Sequence, residues 1–266
     1  MRTYLREEIV AIYSEYARVY DQSGQYSFSL KMLSYIQAIL DRHPVDGPKV
    51  LLDVACGTGT FAMEMADRGW QVVGLDASEA MLEQARLKAA ARQLDAAWLR
   101  ADLREFTIRE PVGLVTCLYD SMNYMLTADD LLNAFRRAYA ALRPGGLFAF
   151  DMNTSWAFES VWNDATYFTD SDDLSVVMQS QFDPQRRRAY VTVTCFERNG
   201  TDTDGNSLNS YRKLQERHVE QAFPTEQVAT HLVDAGFRFE AQYECFAYTA
   251  PGPTTARIMY IARKPR

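Results

Sequence analysis

The sequence predicts an α/β fold: a doubly wound, mostly parallel sheet with helices on both faces, and an antiparallel β flap inserted into it. Three observations lead to this prediction. From residue 47 to 152, short apolar runs alternate with helical patterns, which is typical of parallel strands joined by crossover helices. From 153 to 222, β-rich runs follow one another with only turn residues between them, which indicates hairpins. From 223 to 266, a helical pattern precedes two β-rich runs with no helix between them, so these two strands should pair antiparallel.

The individual elements follow from the positions of the apolar runs. Core strands are expected near 49–55, 71–75, 96–100, 113–118 and 147–152, and helices near 60–68, 78–92 and 128–142. Arg143-Pro144-Gly145-Gly146 is predicted to be a turn between the last of these helices and strand five, because Pro and Gly interrupt helices. Beyond the core, strands are expected at 174–182, 188–196 and 211–223, a helix from Thr225 to Gly236, and strands at 237–246 and 256–264.

An N-terminal cap precedes the core and is predicted to be helical. Tyr13, Tyr16 and Tyr20 recur at helical spacing, and a second amphipathic stretch runs from Leu30 to Leu40. Such an aromatic stripe either packs against a core or lines a site, and the sequence leaves both interpretations open. The predicted organisation is a helical cap at 1–46, a core at 47–152 and 223–266, and a flap at 153–222.

Composition narrows the class of protein. The 266 residues carry a formal charge of −7, whereas a nucleic-acid binder usually has a basic surface. No apolar run reaches transmembrane length, and the first residues lack the apolar segment of a signal peptide. The four cysteines are scattered without a Cys-x-x-Cys pair, which predicts reduced thiols rather than disulfides or a metal site. We therefore expect a cytoplasmic protein without a bound metal, a nucleic-acid partner or a membrane anchor.

The stretch from Val50 to Ala62 organises the chain. An apolar run leads into a Gly-x-Gly turn at Gly57 and Gly59, and a helical pattern follows. Glycine lets the main chain turn sharply and approach a ligand closely, and the first turn of the helix offers free N–H groups. This arrangement predicts a nucleotide-type cofactor site, although an ordinary βα turn carries the same pattern.

Acidic and polar side chains follow successive core strands. Ligands of such sheets bind beyond the carboxyl ends of the strands, and an acid after strand two is well placed to meet a ribose diol. The residues at these ends are Asp53, Asp76, Asp102, the run Tyr119-Asp120-Ser121-Met122-Asn123-Tyr124, and Asp151-Met152-Asn153. Their joint placement supports the prediction of a cofactor site.

Together these motifs resemble the class I S-adenosylmethionine-dependent methyltransferases, which have a Rossmann-like, seven-stranded sheet with an antiparallel last strand. The motifs are Leu52-Asp53-Val54-Ala55-Cys56-Gly57-Thr58-Gly59, Gly74-Leu75-Asp76-Ala77-Ser78, Ala101-Asp102-Leu103 and Leu142-Arg143-Pro144-Gly145-Gly146. An NAD-dependent Rossmann enzyme is the nearest alternative. Asp53 before the turn, Asp102 after strand three and the closing strand pair favour the methyltransferase.

The resemblance implies specific roles in holding S-adenosylmethionine. Asp53 would attract the amino group, Asp76 would accept both ribose hydroxyls, and Asp102 with the N–H of Leu103 would bind the adenine edge. Ala55 stands where many relatives carry Gly. The implied cofactor-binding residues are Tyr20, Tyr26, Asp53, Ala55, Cys56, Gly57, Gly59, Asp76, Ala77, Met81, Asp102, Leu103, Leu118, Tyr119 and Asp120.

Within the class, the flap is similar to that of bacterial small-molecule methyltransferases, including amino-sugar and glycine N-methyltransferases. Tyr13 and Tyr20 match tyrosines that lie over the sulfonium in such enzymes, whereas Met122-Asn123-Tyr124 replaces a histidine that some amino-sugar enzymes carry. The candidate catalytic residues are Tyr13 and His218. His218 is the best candidate base because its ordinary pKa lies near neutrality, but a hydrogen-bonded structural histidine is an equal alternative.

The predicted function is methyl transfer to a nitrogen or oxygen of a small molecule. The alternatives are an RNA or protein methyltransferase and a non-catalytic S-adenosylmethionine-binding protein. The expected partner is a small-molecule acceptor, and a homodimer is possible on sequence grounds.

Overall fold

The computed structural model describes residues 12–200 and 210–266 and contains two β-sheets. Its helices are α1 Tyr26–Arg42, α2 Thr60–Ala66, α3 Glu79–Ala91, α4 Ala128–Ala141, α5 Ser155–Ser160 and α6 Thr225–Asp234. Its strands are β1 Val50–Val54, β2 Gln71–Asp76, β3 Ala97–Arg100, β4 Val112–Cys117, β5 Leu142–Asn153, β6 Ala165–Asp170, β7 Leu174–Asp183, β8 Arg188–Arg198, β9 Tyr211–Gln221, β10 Arg238–Glu244 and β11 Arg257–Arg263.

The large sheet has seven strands in the order β10-β11-β5-β4-β1-β2-β3. Strands β1 to β5 pair in parallel, and β11 lies antiparallel between β5 and β10. The predicted doubly wound sheet with an antiparallel last strand is therefore confirmed. Because its connections reverse direction beside β1, the carboxyl ends of β1 and β4 border a crevice suited to a ligand.

Helices cover both faces of this sheet. Leu51 of β1 packs into the apolar layer under α1 and α2, which includes Ile36 and Phe61. The next residue, Leu52, points to the opposite layer under α4 and α6, which includes Phe135. A strand that is buried on both faces needs consecutive apolar residues, and this explains the run at the start of β1.

The small sheet is the flap. Its strands β6, β7, β8 and β9 pair antiparallel in chain order, as expected for consecutive hairpins. Its inner face packs against the N-terminal segment through residues such as Val176, Val193 and Leu214, which contact Tyr16 and Val19 in one apolar cluster. Residues 201–209, between β8 and β9 in the sequence, lie outside the described residues.

Three local expectations were wrong. The tyrosine stripe is not an α-helix: Tyr13 has a left-handed φ of 55°, and only Tyr16–Arg18 forms a short 3₁₀ turn. The predicted turn at Arg143-Pro144-Gly145-Gly146 lies inside β5, where Leu142 pairs with Val112 and Leu147 with Leu114, so the intervening residues bulge. Helix α5 and strand β6 were not predicted; Thr154 caps α5 by accepting a bond from the N–H of Ala157 at 3.1 Å.

Candidate cofactor and acceptor site

The glycine turn after β1 has one closed side and one open side. Gly57 and Gly59 both adopt positive φ, at 55° and 74°. A Cβ on Gly59 would lie 2.5 Å from the Trp98 ring, whereas a Cβ on Gly57 would meet nothing within 4 Å. The main chain at Gly57 therefore faces open space in which a bound molecule can lie against it.

Asp76 ends β2 beside this turn. Its Oδ2 accepts a 2.8 Å bond from the N–H of Gly57, and its Oδ1 accepts a 2.8 Å bond from the N–H of Ser78. Each oxygen keeps a second lone pair, so the carboxyl group can accept two hydroxyl groups as well. Burial raises the pKa of Asp76 despite these main-chain donors.

Asp53 lies deeper, near the end of β1. Its carboxyl group is 3% exposed and accepts a 2.7 Å bond from Thr116 Oγ1 of β4. Burial raises its pKa to about 7, the Thr116 bond opposes that shift, and the nearby Asp76 charge adds to it. A cationic group bound here would favour the ionised carboxylate.

Residues expected at the adenine lie around β2 and β3. Asp102 accepts bonds from Arg104 through its N–H and Nε at 2.8 Å and through Nη2 at 2.6 Å, and this partner lowers the pKa of Asp102. Met81 is buried in the first turn of α3, which Ser78 caps. Ala77 is exposed, and Leu103 and Cys56 are half-buried.

The loop after β4 is held by a buried ionic cluster. Tyr119 and Asp120 are both left-handed, at φ 63° and 52°. Their N–H groups donate to the Asp151 carboxyl group at 2.7 and 3.1 Å. Arg257 of β11 bonds Asp151, and its Nη1 lies 3.2 Å from Asp120 Oδ1; Asn153 Nδ2 donates to Asp120 Oδ2 at 2.6 Å. Non-glycine residues in this conformation often mark functional sites.

The two candidate catalytic residues belong to one hydrogen-bonded chain. The Tyr13 hydroxyl lies 2.9 Å from the Tyr124 hydroxyl, which lies 3.1 Å from His218 Nδ1. Burial lowers the pKa of His218, which favours the neutral imidazole, and burial raises the pKa of both tyrosines. The chain joins the N-terminal segment, the loop after β4 and the flap.

The other two N-terminal tyrosines differ in exposure. Tyr20 is half-buried, and its ring meets Tyr13 edge-on at 6.0 Å between centroids, which places it beside the hydrogen-bonded chain of Tyr13, Tyr124 and His218. Tyr26 begins α1 with 43% of its surface exposed. Leu118 is buried under the loop after β4.

The chain is similar in sequence to known methyltransferases. A family model described as a methyltransferase domain matches residues 51–146, from β1 into β5. The protein YqeM of Bacillus subtilis is 29% identical over 254 residues, covering 95% of this chain and 97% of YqeM. The dTDP-4-amino-2,3,4,6-tetradeoxy-D-glucose N,N-dimethyltransferase of Saccharopolyspora spinosa is 28% identical, covering 79% of this chain and 77% of its own. The chain is a class I, S-adenosylmethionine-dependent methyltransferase.

Solved structures share the fold of this methyltransferase. An S-adenosylmethionine-dependent methyltransferase from Clostridium acetobutylicum superposes with a TM-score of 0.82 at 23% identity, covering 95% of this chain and 98% of the other. A sugar N-methyltransferase from Streptoalloteichus superposes with a TM-score of 0.70 at 20% identity, covering 100% and 98%. In both comparisons the likeness extends over the flap as well as the core.

Three charged residues of the methyltransferase site were missed in the sequence. Arg257 is the first residue of β11, just before an apolar run, and Glu216 and Glu220 flank His218 at a spacing of two on β9. The side chains of Glu216, His218 and Glu220 are all buried on β9, at 2–4% exposure. This alternation was the available signal, because residues two apart on a strand share one face.

Glu220, like His218 with its Nε2, leaves a buried polar atom of the site unsatisfied. Its Oε2 is buried without a hydrogen-bond partner in the described part of the chain. Burial raises the pKa of Glu220 well above its usual range, and the neighbouring Asp120 charge adds to that shift. A buried acceptor without a partner is costly, so the group points to a ligand.

Within residues 12–200 and 210–266, no group of His, Cys, Asp and Glu side chains could hold a metal ion. Over the same residues, none of the helices is long and apolar enough to cross a membrane.

Proposed function

We propose that this methyltransferase acts on the nitrogen of a small, amine-bearing acceptor held between the core and the flap. One observation supports the nitrogen: the acceptor side of the site has more carboxyl groups than cations to pair with them. Asp120 and Asp151 share Arg257, and Glu220 stands beside them with an unpartnered oxygen. Such a site favours a positively charged guest, because an isolated buried carboxylate is costly.

The named relatives agree with an amine acceptor. The Saccharopolyspora spinosa enzyme is named as an amino-sugar N,N-dimethyltransferase, and so is a relative from Streptomyces fradiae that is 35% identical over 114 residues. An RNA or protein substrate is disfavoured by the formal charge of −7 and by the flap over the strand ends. A cytoplasmic location and a homodimer stay predictions.

Three features of the described residues support the proposed S-adenosylmethionine site. Gly57 offers open main chain, Asp76 has lone pairs for two ribose hydroxyls, and Asp53 is a buried acid suited to an amino group. The remaining proposed contacts are Tyr20, Tyr26, Ala55, Cys56, Gly59, Ala77, Met81, Asp102, Leu103, Leu118, Tyr119 and Asp120. When bound, the cofactor supplies a methyl group on positively charged sulfur, so the protein's task is alignment and exclusion of water.

The protein must also provide an unprotonated nucleophile. An ammonium group beside Glu220 and Asp120 would be bound as a cation and must lose a proton before its lone pair can react. The chain from Tyr13 through Tyr124 to His218 Nδ1 can carry that proton, because the imidazole is favoured in its neutral form. We therefore assign Tyr13 and His218 to orientation of the acceptor and uptake of the proton.

A product-mass screen tests this function. Purified protein is incubated with S-adenosylmethionine and a fractionated small-molecule extract, and products heavier by one CH₂ group are identified. The matched control is Asp76→Asn, which keeps the shape of the side chain but weakens the ribose contact. We expect wild-type-dependent methylation of an amine. Methylation of oxygen alone would refute the amine acceptor, and methylation confined to a macromolecular fraction would refute the small-molecule acceptor. Cofactor binding without any transfer would indicate a non-catalytic binder.

A further inference from the structure

The N-terminal segment crosses the cofactor side of the site. We call residues 12–25 the strap. The main-chain oxygen of Tyr13 accepts a 2.6 Å bond from Ser78 Oγ, in the loop after β2. Asp21 Oδ1 accepts a 2.8 Å bond from Thr58 Oγ1 in the glycine turn, and Gln25 accepts a bond from the Tyr119 hydroxyl after β4. The strap therefore touches three of the four loops that the cofactor is expected to contact, those after β1, β2 and β4.

One buried carboxylate fixes the start of the strap. Glu216 Oε1 accepts bonds from the N–H groups of Ser14, Glu15 and Tyr16 at 3.0, 2.9 and 3.1 Å, and from Ser14 Oγ at 3.2 Å. Its Oε2 accepts a 2.6 Å bond from the N–H of Tyr13. Four successive main-chain donors thus converge on a side chain of β9 that is 4% exposed.

Glu216 makes the strongest polar contact between the strap and the flap, beside the apolar packing of Tyr16 and Val19. Hydrogen bonds from several main-chain N–H groups to one buried carboxylate are individually stronger than neutral ones. The strap also makes exposed ion pairs with the flap, Arg18 with Glu197 and Glu15 with Arg212, but such surface pairs contribute little. Replacing this carboxylate by an amide would leave one neutral oxygen as acceptor and would turn an NH₂ group towards the remaining N–H donors. The N–H groups that lose their bond can reach water only if the strap lifts.

The far end of the strap is tied to the glycine turn. Lys88 Nζ of α3 donates to Asp21 Oδ2 at 2.6 Å, to Thr58 Oγ1 at 2.9 Å and to Thr60 Oγ1 at 2.7 Å. The strap is therefore held at one end by the flap and at the other by the turn against which the cofactor is expected to lie. We expect a shift of the strap at Glu216 to change its contacts with the glycine turn as well.

We propose that Glu216 is a positioning residue: it clamps the strap across the cofactor site, so that closure of the strap and binding of the cofactor stabilise each other. This inference rests on the cofactor part of the proposed function and is independent of the acceptor. Because coupling between two equilibria is reciprocal, a ligand that binds under the closed strap must also hold the strap closed.

The first test uses the wild-type protein. Trypsin cleavage after Arg18, identified by fragment mass, reports opening of the strap. We expect saturating S-adenosylhomocysteine to slow this cleavage by about tenfold or more, because the ligand stabilises the closed form. An unchanged cleavage rate, with calorimetry showing that the ligand is bound, would overturn the coupling.

The second test compares Glu216→Gln with Arg212→Gln, which removes an exposed contact between the same strand and the strap. We expect Glu216→Gln to speed cleavage after Arg18 and to weaken S-adenosylhomocysteine binding, each by about tenfold, from the loss of charged hydrogen bonds. Arg212→Gln should change either quantity less than about twofold. Faster cleavage with wild-type affinity would overturn the clamp, as would wild-type values of both.

The two proposals can fail separately. If Glu216→Gln does not fold, ligand protection of the wild-type strap still decides the coupling. If calorimetry detects no S-adenosylhomocysteine binding to the wild-type protein, the proposed cofactor contacts are wrong and the clamp fails with them. If binding and protection are seen but no methylated product forms in the mass screen, only the proposed reaction is wrong.

Discussion

Ala55 occupies a backbone conformation that suits glycine, with φ at 55° in the turn after β1. An alanine Cβ is strained there, and glycine would relieve that strain at the cost of a more flexible unfolded chain. We expect Ala55→Gly to raise the free energy of unfolding by about 0.5–1 kcal/mol in urea titrations. The control, Ala90→Gly on the exposed face of α3, should lower it by about 1 kcal/mol. A loss of stability in Ala55→Gly would contradict the assigned strain.

Asp53 makes stability depend on pH in an unusual direction. Its pKa is raised from 3.8 to about 7 in the folded protein, so the folded state binds more protons than the unfolded chain between those values. The contribution of Asp53 to stability therefore falls as pH rises from about 4 to 7 and stays low above that range. We expect wild type to lose stability relative to Asp53→Asn between pH 5 and pH 8. Thermal unfolding of both proteins across this window measures the difference, and parallel curves would refute it.

We expect the Tyr13 hydroxyl to contribute more to turnover than to the stability of the fold. Tyr13→Phe keeps the ring that packs near Tyr20 and His218 but deletes the 2.9 Å contact with Tyr124. We expect turnover to fall by about tenfold or more, with a change in unfolding free energy of at most about 1–2 kcal/mol. Tyr20→Phe is the companion variant and should weaken cofactor affinity instead. If Tyr13→Phe loses stability but keeps wild-type turnover per folded molecule, Tyr13 is a packing residue.

For single residues, the sequence predicts which acids lie on the cofactor side of the site, but it does not predict how the acceptor side is built. Asp53 and Asp76 lie at strand ends, where the order of elements alone places them. Arg257 and Asp120 are 137 positions apart in the sequence, so no local pattern could pair them. The buried alternation of Glu216, His218 and Glu220 was present in β9, but it matches the pattern of an ordinary half-exposed strand until the partner surface is known.

Among the elements, strands β2 and β3 pack with no space beside Gly74. A Cβ at Gly74 would overlap the Trp98 ring and would lie 2.9 Å from Cys56 Sγ. We expect Gly74→Ala to lower the free energy of unfolding by about 1–3 kcal/mol, and to do so much less in a Trp98→Ala background. Gly252→Ala, where an added Cβ meets nothing within 4 Å, is the control. Equal losses in both backgrounds would show that the ring is not the cause.

Elements were predicted well where local pattern decides them and poorly where distant partners do. The core strands and the three long flap strands follow their apolar runs. The prediction of a helix in the strap was wrong. The N–H groups of residues 13–16 donate to Glu216, about two hundred residues away, rather than to carbonyls of their own segment. Pro144 and Gly145 predict a turn, but the bulge in β5 suits the same residue types, and Gly145 adopts a left-handed φ of 79° there.

At the scale of the whole molecule, the strap joins the two sheets. It packs on the inner face of the flap through Tyr16 and Val19, and it reaches the core loops through Asp21 and Gln25. The site is therefore assembled from four separate parts of the chain: the strap, the core loops, β9 and β11. The family resemblance predicts the cofactor contacts of the core loops, whereas only the structure shows how the strap, β9 and β11 are arranged around them.

Arg257 also sets the order in which a newly made chain can become active. It follows both Asp120 and Asp151 in synthesis, and N-terminal segments generally fold first. Until residue 257 has left the ribosome, packing the end of β5 would bury a carboxylate with no cation beside it, which is strongly unfavourable. We therefore expect a growing chain to keep the loop after β4 unformed, and the methyl-transfer site unfinished, until β11 has been made.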